Sequence, residues 1–210
     1  MGNGLLPGSA NGPGSYSDID EGTSALTGSP PPVTIGLDAK SGSAKQSSPS
    51  MADRIVAFAR RRRGEVYGDG ECFTLADRAL RAAGAKTAAD FGAVTHDADY
   101  TWGTAIGRTD LQPGDIIQLR DYRCDRESTT AHADGSADID TQTEERPHHT
   151  AIVESTGANG IVTVLEQNHP EGAPVTRNRL HLTSTTYTSG STTTTASVAG
   201  TFWFYRPEAR

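Results

Sequence analysis

Gly68-Asp69-Gly70-Glu71-Cys72-Phe73-Thr74-Leu75-Ala76-Asp77-Arg78-Ala79-Leu80-Arg81-Ala82-Ala83-Gly84 begins at a flexible Gly-Asp-Gly turn and ends on a further glycine. Between them, Cys72, Leu75, Ala76, Ala79, Leu80 and Ala83 recur at i, i+3, i+4, i+7, i+8 and i+11. That spacing is one apolar stripe of an α-helix. It predicts a helix from about Glu71 to Ala83, with Gly84 supplying the left-handed stop. Cys72 then falls in the first turn and on the buried stripe. A cysteine on an apolar stripe is ordinarily a core residue. The first turn changes that reading, because the positive end of a helix favours the thiolate, the form that attacks carbonyl carbons.

Upstream, Ser50-Met51-Ala52-Asp53 reads as a capped helix start. Ala52, Ile55, Val56 and Ala59 follow at helical spacing, and Arg60 to Arg63 then Gly64 end the helix. The arginine run is first of all a cationic helix C-terminus and only secondarily a signal for an anionic partner. Downstream, Ala88 to Phe91 reads as a short helical turn and Tyr100 to Gly103 as an aromatic corner. Pro113-Gly114-Asp115 is a turn leading into a strand at Ile116–Leu119. Residues 121–147 read as a polar loop or exposed hairpin. His149–Glu154 and Ile161–Asn168 are strands joined through Asn159-Gly160, a hairpin signal. Further strands are expected at Leu180–Leu182 and Phe202–Tyr205, with residues 183–197 as a Thr-rich surface hairpin. Helices first and an antiparallel sheet afterwards mean an α+β fold.

The sheet supplies partners for the thiol. His149, Ala151 and Val153 alternate on one strand face, and His148, Thr150 and Ile152 on the other. On the next strand Val162, Val164, Glu166 and Asn168 share a face. If that face adjoins His149, the imidazole gains a carboxylate or amide that fixes its orientation and favours the imidazolium. His148 is expected to face solvent or the opposite layer.

Cys72 opening a helix after a Gly-rich turn, the strand start Pro113-Gly-Asp-Ile-Ile117, His149-Thr-Ala-Ile-Val153 and then Glu166-Gln-Asn168 resemble the papain-like amidases and peptidases of the CHAP and NlpC/P60 type. The resemblance spans about Val56 to Arg206. It implies a papain-like fold, with N-terminal helices packed on a C-terminal antiparallel sheet. It implies Cys72 as nucleophile, His149 as general base and acid, Glu166 as orienter and Asn168 as a second polar group. It also implies hydrolysis of amide bonds through a thioester, with a peptide or peptidoglycan substrate. Two positions depart from the pattern: Glu71 stands where CHAP members commonly have Gln, and Val66 where papain-like enzymes often hold the oxyanion-binding Gln. The oxyanion donors then fall to the Cys72 N–H and Tyr67, since NlpC/P60 enzymes often have a tyrosine shortly before the cysteine. A catalytically silent binding module, or a thiol acyltransferase or deamidase, would use the same residues.

Composition sets the outer bounds. The chain has 210 residues, 23 Gly and 11 Pro, and a formal net charge of −7. An acidic balance argues against a nucleic-acid partner. No apolar run is long enough to span a membrane. Residues 1–50 are rich in Gly, Ser and Pro and lack any period, so they read as a disordered tail before one domain at 51–210. No signal peptide is visible, so the expected location is cytoplasmic or reached by another export route. The oligomeric state is not legible. Two cysteines allow one disulfide, which would block the nucleophile. Cys124 reads as an incidental thiol in the polar insertion. Cys72, Cys124, His148, His149 and His169 are zinc-type ligands but form no Cys-x-x-Cys or His-x-x-x-His pair, so no metal and no cofactor are expected.

Overall fold

The computed structural model describes residues 48–95 and 97–210. Of the tail expected over residues 1–50, residues 1–47 lie outside the described residues.

Two helices come first. Helix α1 spans Met51–Arg60, and Ser50 caps it in a reciprocal box with Asp53. Ile55, Val56, Phe58 and Ala59 form its buried side. Helix α2 spans Cys72–Ala83 and stops at Gly84, whose φ of 74° is left-handed. Leu75, Ala76, Ala79, Leu80 and Ala83 are buried along it, as the stripe requires. A 3-10 turn covers Ala88–Asp90.

The strands are β1 (Thr104–Ala105), β2 (Ile116–Ala131), β3 (Ala137–Thr156), β4 (Ile161–Glu166), β5 (Thr176–His181), β6 (Thr185–Ser189) and β7 (Thr192–Arg206). They form one antiparallel sheet in the order β1-β7-β2-β3-β4-β5, with β6 on β7. The polar segment 121–147 is therefore no loop. It is the long β2–β3 hairpin, paired as far as Ala131↔Ala137. Each side of the sheet has its own apolar cluster. Ile116, Ile152 and Leu165 pack with α1 and α2, together with Trp102 and Tyr205. Ile117, Leu119, Ala151, Val153, Val162, Val164 and Leu180 pack on the other side.

One irregularity redirects side chains along β2 and β3. Up to Leu119 the odd residues of β2 join the second cluster; beyond Asp121 the even ones do, namely Tyr122 and Cys124. Asp121 has a φ of 53°, and it and Pro147 drop out of an otherwise regular pairing of Arg120↔His148 and Tyr122↔Arg146. The β2–β3 register is the same on both sides of this point, so the two strands leave the ladder together and continue with their faces exchanged. Strand β7 is out of step at the same place, and its Gly200 (φ 118°) sits so close that a Cβ would meet the Asp121 carbonyl oxygen at 2.8 Å. Consequently Cys124 is buried at 3% exposure. This corrects the expectation of an exposed loop thiol.

Candidate active site

The turn that delivers Cys72 is built by its neighbours. Gly68 and Gly70 take left-handed φ values of 66° and 87°. Asp69 accepts the Glu71 N–H at 3.0 Å through its carboxylate. Gln167, fully buried where β4 ends, then ties the turn to the sheet. Its Nε2 donates to the Tyr67 carbonyl (3.0 Å) and the Glu71 carbonyl (2.6 Å), and its Oε1 accepts the Tyr67 N–H (3.2 Å). Helix α2 thereby starts at a fixed point on the sheet. The Cys72 N–H lies in the first helical turn, where intrahelical acceptors are lacking.

The thiol of Cys72 lies close enough to the imidazole of His149 and to the main chain of Thr150 for both to act on its pKa. The Thr150 N–H is free to do so. The last β3–β4 pair is Ile152↔Leu165, and residues 150 and 152 direct their N–H groups to the β4 side. Burial pushes the Cys72 thiol up, but the bond and charge of His149 and the Thr150 N–H more than offset it, so it lies below the ordinary thiol range. Burial pushes His149 down, yet Cys72 and Glu166 raise it to about 9. These opposite shifts are those of a thiolate–imidazolium pair.

Glu166 stands behind the histidine. Its Oε2 is 2.9 Å from His149 Nε2, off the line of the ring N–H, so the contact is a close charge pair and not a straight hydrogen bond. Nδ1 is thus the nitrogen left for the thiol. Glu166 is fully buried and takes a forked ion pair from Arg146, with Nη2 at 2.7 Å and Nε at 3.1 Å, and accepts a hydrogen bond from the Asn178 Nδ2 at 2.7 Å. Burial raises this carboxyl, but His149 and Arg146 hold it far below its usual range.

Cys72, His149 and Glu166 therefore meet in one group. Asn168 does not share the Glu166 face: β4 ends at Glu166, and Asn168 turns away at a φ of 64°. Its amide donates to Glu71 Oε2 at 3.0 Å and accepts the Gly172 N–H at 2.7 Å. Asn168 thus touches the site through Glu71, whose charge opposes the Cys72 thiolate. The Tyr67 ring packs edge-on to Phe58 at 5.6 Å, under the Arg62 guanidinium, so its hold on the site is through the main chain. Val66 is 60% exposed.

On the helix side of the sheet, His148 makes a 2.9 Å contact with the amide of buried Gln118, which accepts from Trp102 and Thr150. Phe73, Tyr100 and Trp102 pack against one another at tilted and edge-on angles beside the start of α2. Arg146, Asn178, Gln167 and Gln118 were not singled out in the sequence. Among the described residues no three of His, Cys, Asp and Glu converge as a metal site would need. No described helix is long and apolar enough to cross a membrane.

A family model described as AIM3/BBC1 Cysteine proteinase-fold domain matches residues 30–193, a stretch holding Cys72, His149 and Glu166. No curated protein and no solved structure matches the chain.

Proposed function

The chain belongs to the AIM3/BBC1 cysteine proteinase-fold family, a papain-like fold, and on that premise we propose that it is a cysteine hydrolase of amide bonds. The observation that carries the reading is the Cys72 thiol in the first turn of α2, facing a His149 that is backed by Glu166. The Cys72 thiolate attacks the carbonyl carbon. The tetrahedral oxyanion is held by the Cys72 N–H at the helix start. The C–N bond breaks as His149 hands its proton to the departing amine, leaving a thioester. A water then gives a proton to His149 and its oxygen to the carbonyl, and the thiolate leaves with the acid as product. Glu166 keeps the imidazole charged and oriented, and Arg146 keeps Glu166 ionised. Asn168 acts only through Glu71, and Tyr67 as the anchor of the turn. The catalytic unit is residues 51–210 with the Ser50 cap of α1, and the tail before that cap is dispensable.

Within this class, the peptidoglycan substrate rests on the CHAP and NlpC/P60 resemblance of the Cys72, His149 and Glu166 motifs. The test therefore has two arms, purified muropeptides and an unrelated peptide library, each followed by mass spectrometry with a Cys72→Ala control. Cys72-dependent cleavage in either arm supports the hydrolase, and cleavage of muropeptides alone supports the peptidoglycan substrate. A chain that cleaves neither, and forms no covalent adduct with a peptidyl electrophile at Cys72, is a silent module of the same fold.

A further inference from the structure

Beside the Cys72–His149–Glu166 group lies a cavity of about 540 Å³ lined by Arg126, Arg146, His169, Arg177, Arg179 and a single acidic residue, Glu144. Four arginines in one cavity stand out in a chain of formal net charge −7. Their charges are not all neutralised. Arg146 is committed to Glu166 and Glu144, and Arg177 to Glu154. Arg126 reaches the Gln142 amide oxygen, a neutral acceptor. Among the described residues neither Arg126 nor Arg179 has a carboxylate partner.

Both cations line this one cavity. Buried His181 is held below its usual range by burial first and then by Arg126 and Arg179 together. His169, on the cavity wall, is lowered by burial and then by Arg146. The cavity also shares a wall with the reacting groups. Arg146 and Asn178 both bond Glu166, and the His169 ring centre is 6.1 Å from that of His149. The reaction sets which half of a substrate lies there. His149 hands its proton to the departing amine, so the departing half sits on the imidazole side.

We propose that this cavity is a subsite for an oxyanion, a carboxylate or a phosphate, carried by the departing half of the substrate and paired with Arg126 and Arg179. The link to a substrate rests on the hydrolase reading above; the anion site itself does not. Guanidinium forks match both oxyanions in shape, and a partly enclosed cavity strengthens the attraction over that at an open surface.

The test tracks the His169 ring proton by NMR in the full chain at pH 7 and constant ionic strength. Inorganic phosphate is titrated in one series and succinate in another. The expected result is a saturable shift with at least one anion, with affinity at least tenfold weaker in Arg126→Gln/Arg179→Gln. Arg179→Gln alone, at an exposed position, gives the same direction if the double variant does not fold. Tighter phosphate binding points to a phosphorylated substrate, and tighter succinate binding to a carboxylate. A shift that never saturates, or that is equal in wild type and variant, overturns the subsite. Iodoacetamide labelling of Cys72 in the wild type separates the two readings. Slow labelling with saturable binding removes the hydrolase and keeps the anion site, whereas fast labelling without binding removes the anion site alone.

Discussion

Arg146 and Glu166 meet as a fork on a carboxylate, with Nη2–Oε1 at 2.7 Å and Nε–Oε2 at 3.1 Å, and both side chains are within 1% of full burial. The same Oε2 also faces His149 Nε2 at 2.9 Å. One buried anion is therefore shared by two cations. Arg146 supplies a charge that does not titrate, so Glu166 remains ionised whatever the state of His149. The histidine in turn gains an anion on its Nε2 side while the thiolate occupies the other. This arrangement is the physical cause that raises the buried imidazole to about 9 against its burial.

Arg146→Met should destabilise the chain by about 3–5 kcal/mol, the usual cost of leaving one member of a buried ion pair unpartnered. Urea denaturation at pH 7 measures it. Glu166→Gln should also destabilise, since it leaves buried Arg146 with Glu144 alone, and it should lower the His149 pKa from about 9. An unchanged His149 titration by NMR in Glu166→Gln would mean that Glu166 does not charge the ring.

Hydrolysis through Cys72 should follow a bell in pH. The rising limb lies below the ordinary thiol range, because the folded thiol is lowered. The falling limb should centre near 9, where His149 loses its proton. Stability carries the matching signs. His149 is raised, so its contribution is complete below its ordinary value of 6.5 and is lost as pH climbs through about 9. Glu166 is lowered, so its contribution is complete above its ordinary 4.5 and fades as pH falls. Urea midpoints should therefore be highest between about pH 4.5 and 6.5 as far as this pair decides. A midpoint that rose steadily to pH 10 would contradict the raised histidine.

The two cysteines should separate sharply under iodoacetamide at pH 6–7. Cys72 is partly exposed and lowered, while Cys124 is buried and raised, by burial first and against a bond from Tyr122. Each pKa unit between them is about tenfold in thiolate fraction below both values, and burial of Cys124 adds to it. His149→Ala should slow Cys72 labelling at least tenfold and leave Cys124 unchanged. Site-resolved peptide mass spectrometry reads both, and equal rates would make Cys72 an ordinary thiol.

The parts legible in the sequence are those that depend on local period. The α2 stripe, its Gly84 stop and the Ser50 cap come from residues within one or two turns of each other, and so does the alternation that puts His149 opposite His148. Glu166 was reachable because β4 is regular up to that residue. Alternation does not extend past an irregularity. Counting by twos from His149 would put Arg146 on the wrong face, and counting from Leu119 would misplace Cys124. Both counts break at Asp121 and Pro147, where the hairpin shifts its faces. Pro147, which has no N–H to give a ladder, was the one local sign. Asn168 failed for the same kind of reason, since β4 ends before it and the chain turns left-handed. Gln167 was invisible because its partners are main-chain atoms about 100 residues away, and no side-chain pattern announces such a bond.

Gln167 gives the sharpest contrast with its neighbour. Its amide makes three hydrogen bonds to the main chain of Tyr67 and Glu71, all within the turn that sets Cys72 against His149. Gln167→Ala strands those buried groups at about 1–3 kcal/mol each where water cannot reach them. It should also let the helix start drift, which costs reactivity steeply because the thiol must hold its geometry to the imidazole. Gln167→Glu keeps an acceptor for the Tyr67 N–H but sets a carboxylate against two carbonyls, so it should be no better than Ala. Asn168→Ala loses only its bonds to the Glu71 carboxylate and the Gly172 N–H, in a more exposed setting. It should leave Cys72 labelling within about threefold of wild type, while both Gln167 variants fall at least tenfold. The comparison is made on variants shown to be folded by circular dichroism at the assay temperature. Were Asn168→Ala the more damaging of the two, the anchor of the nucleophile would lie in the loop after β4 and not in the amide at its end.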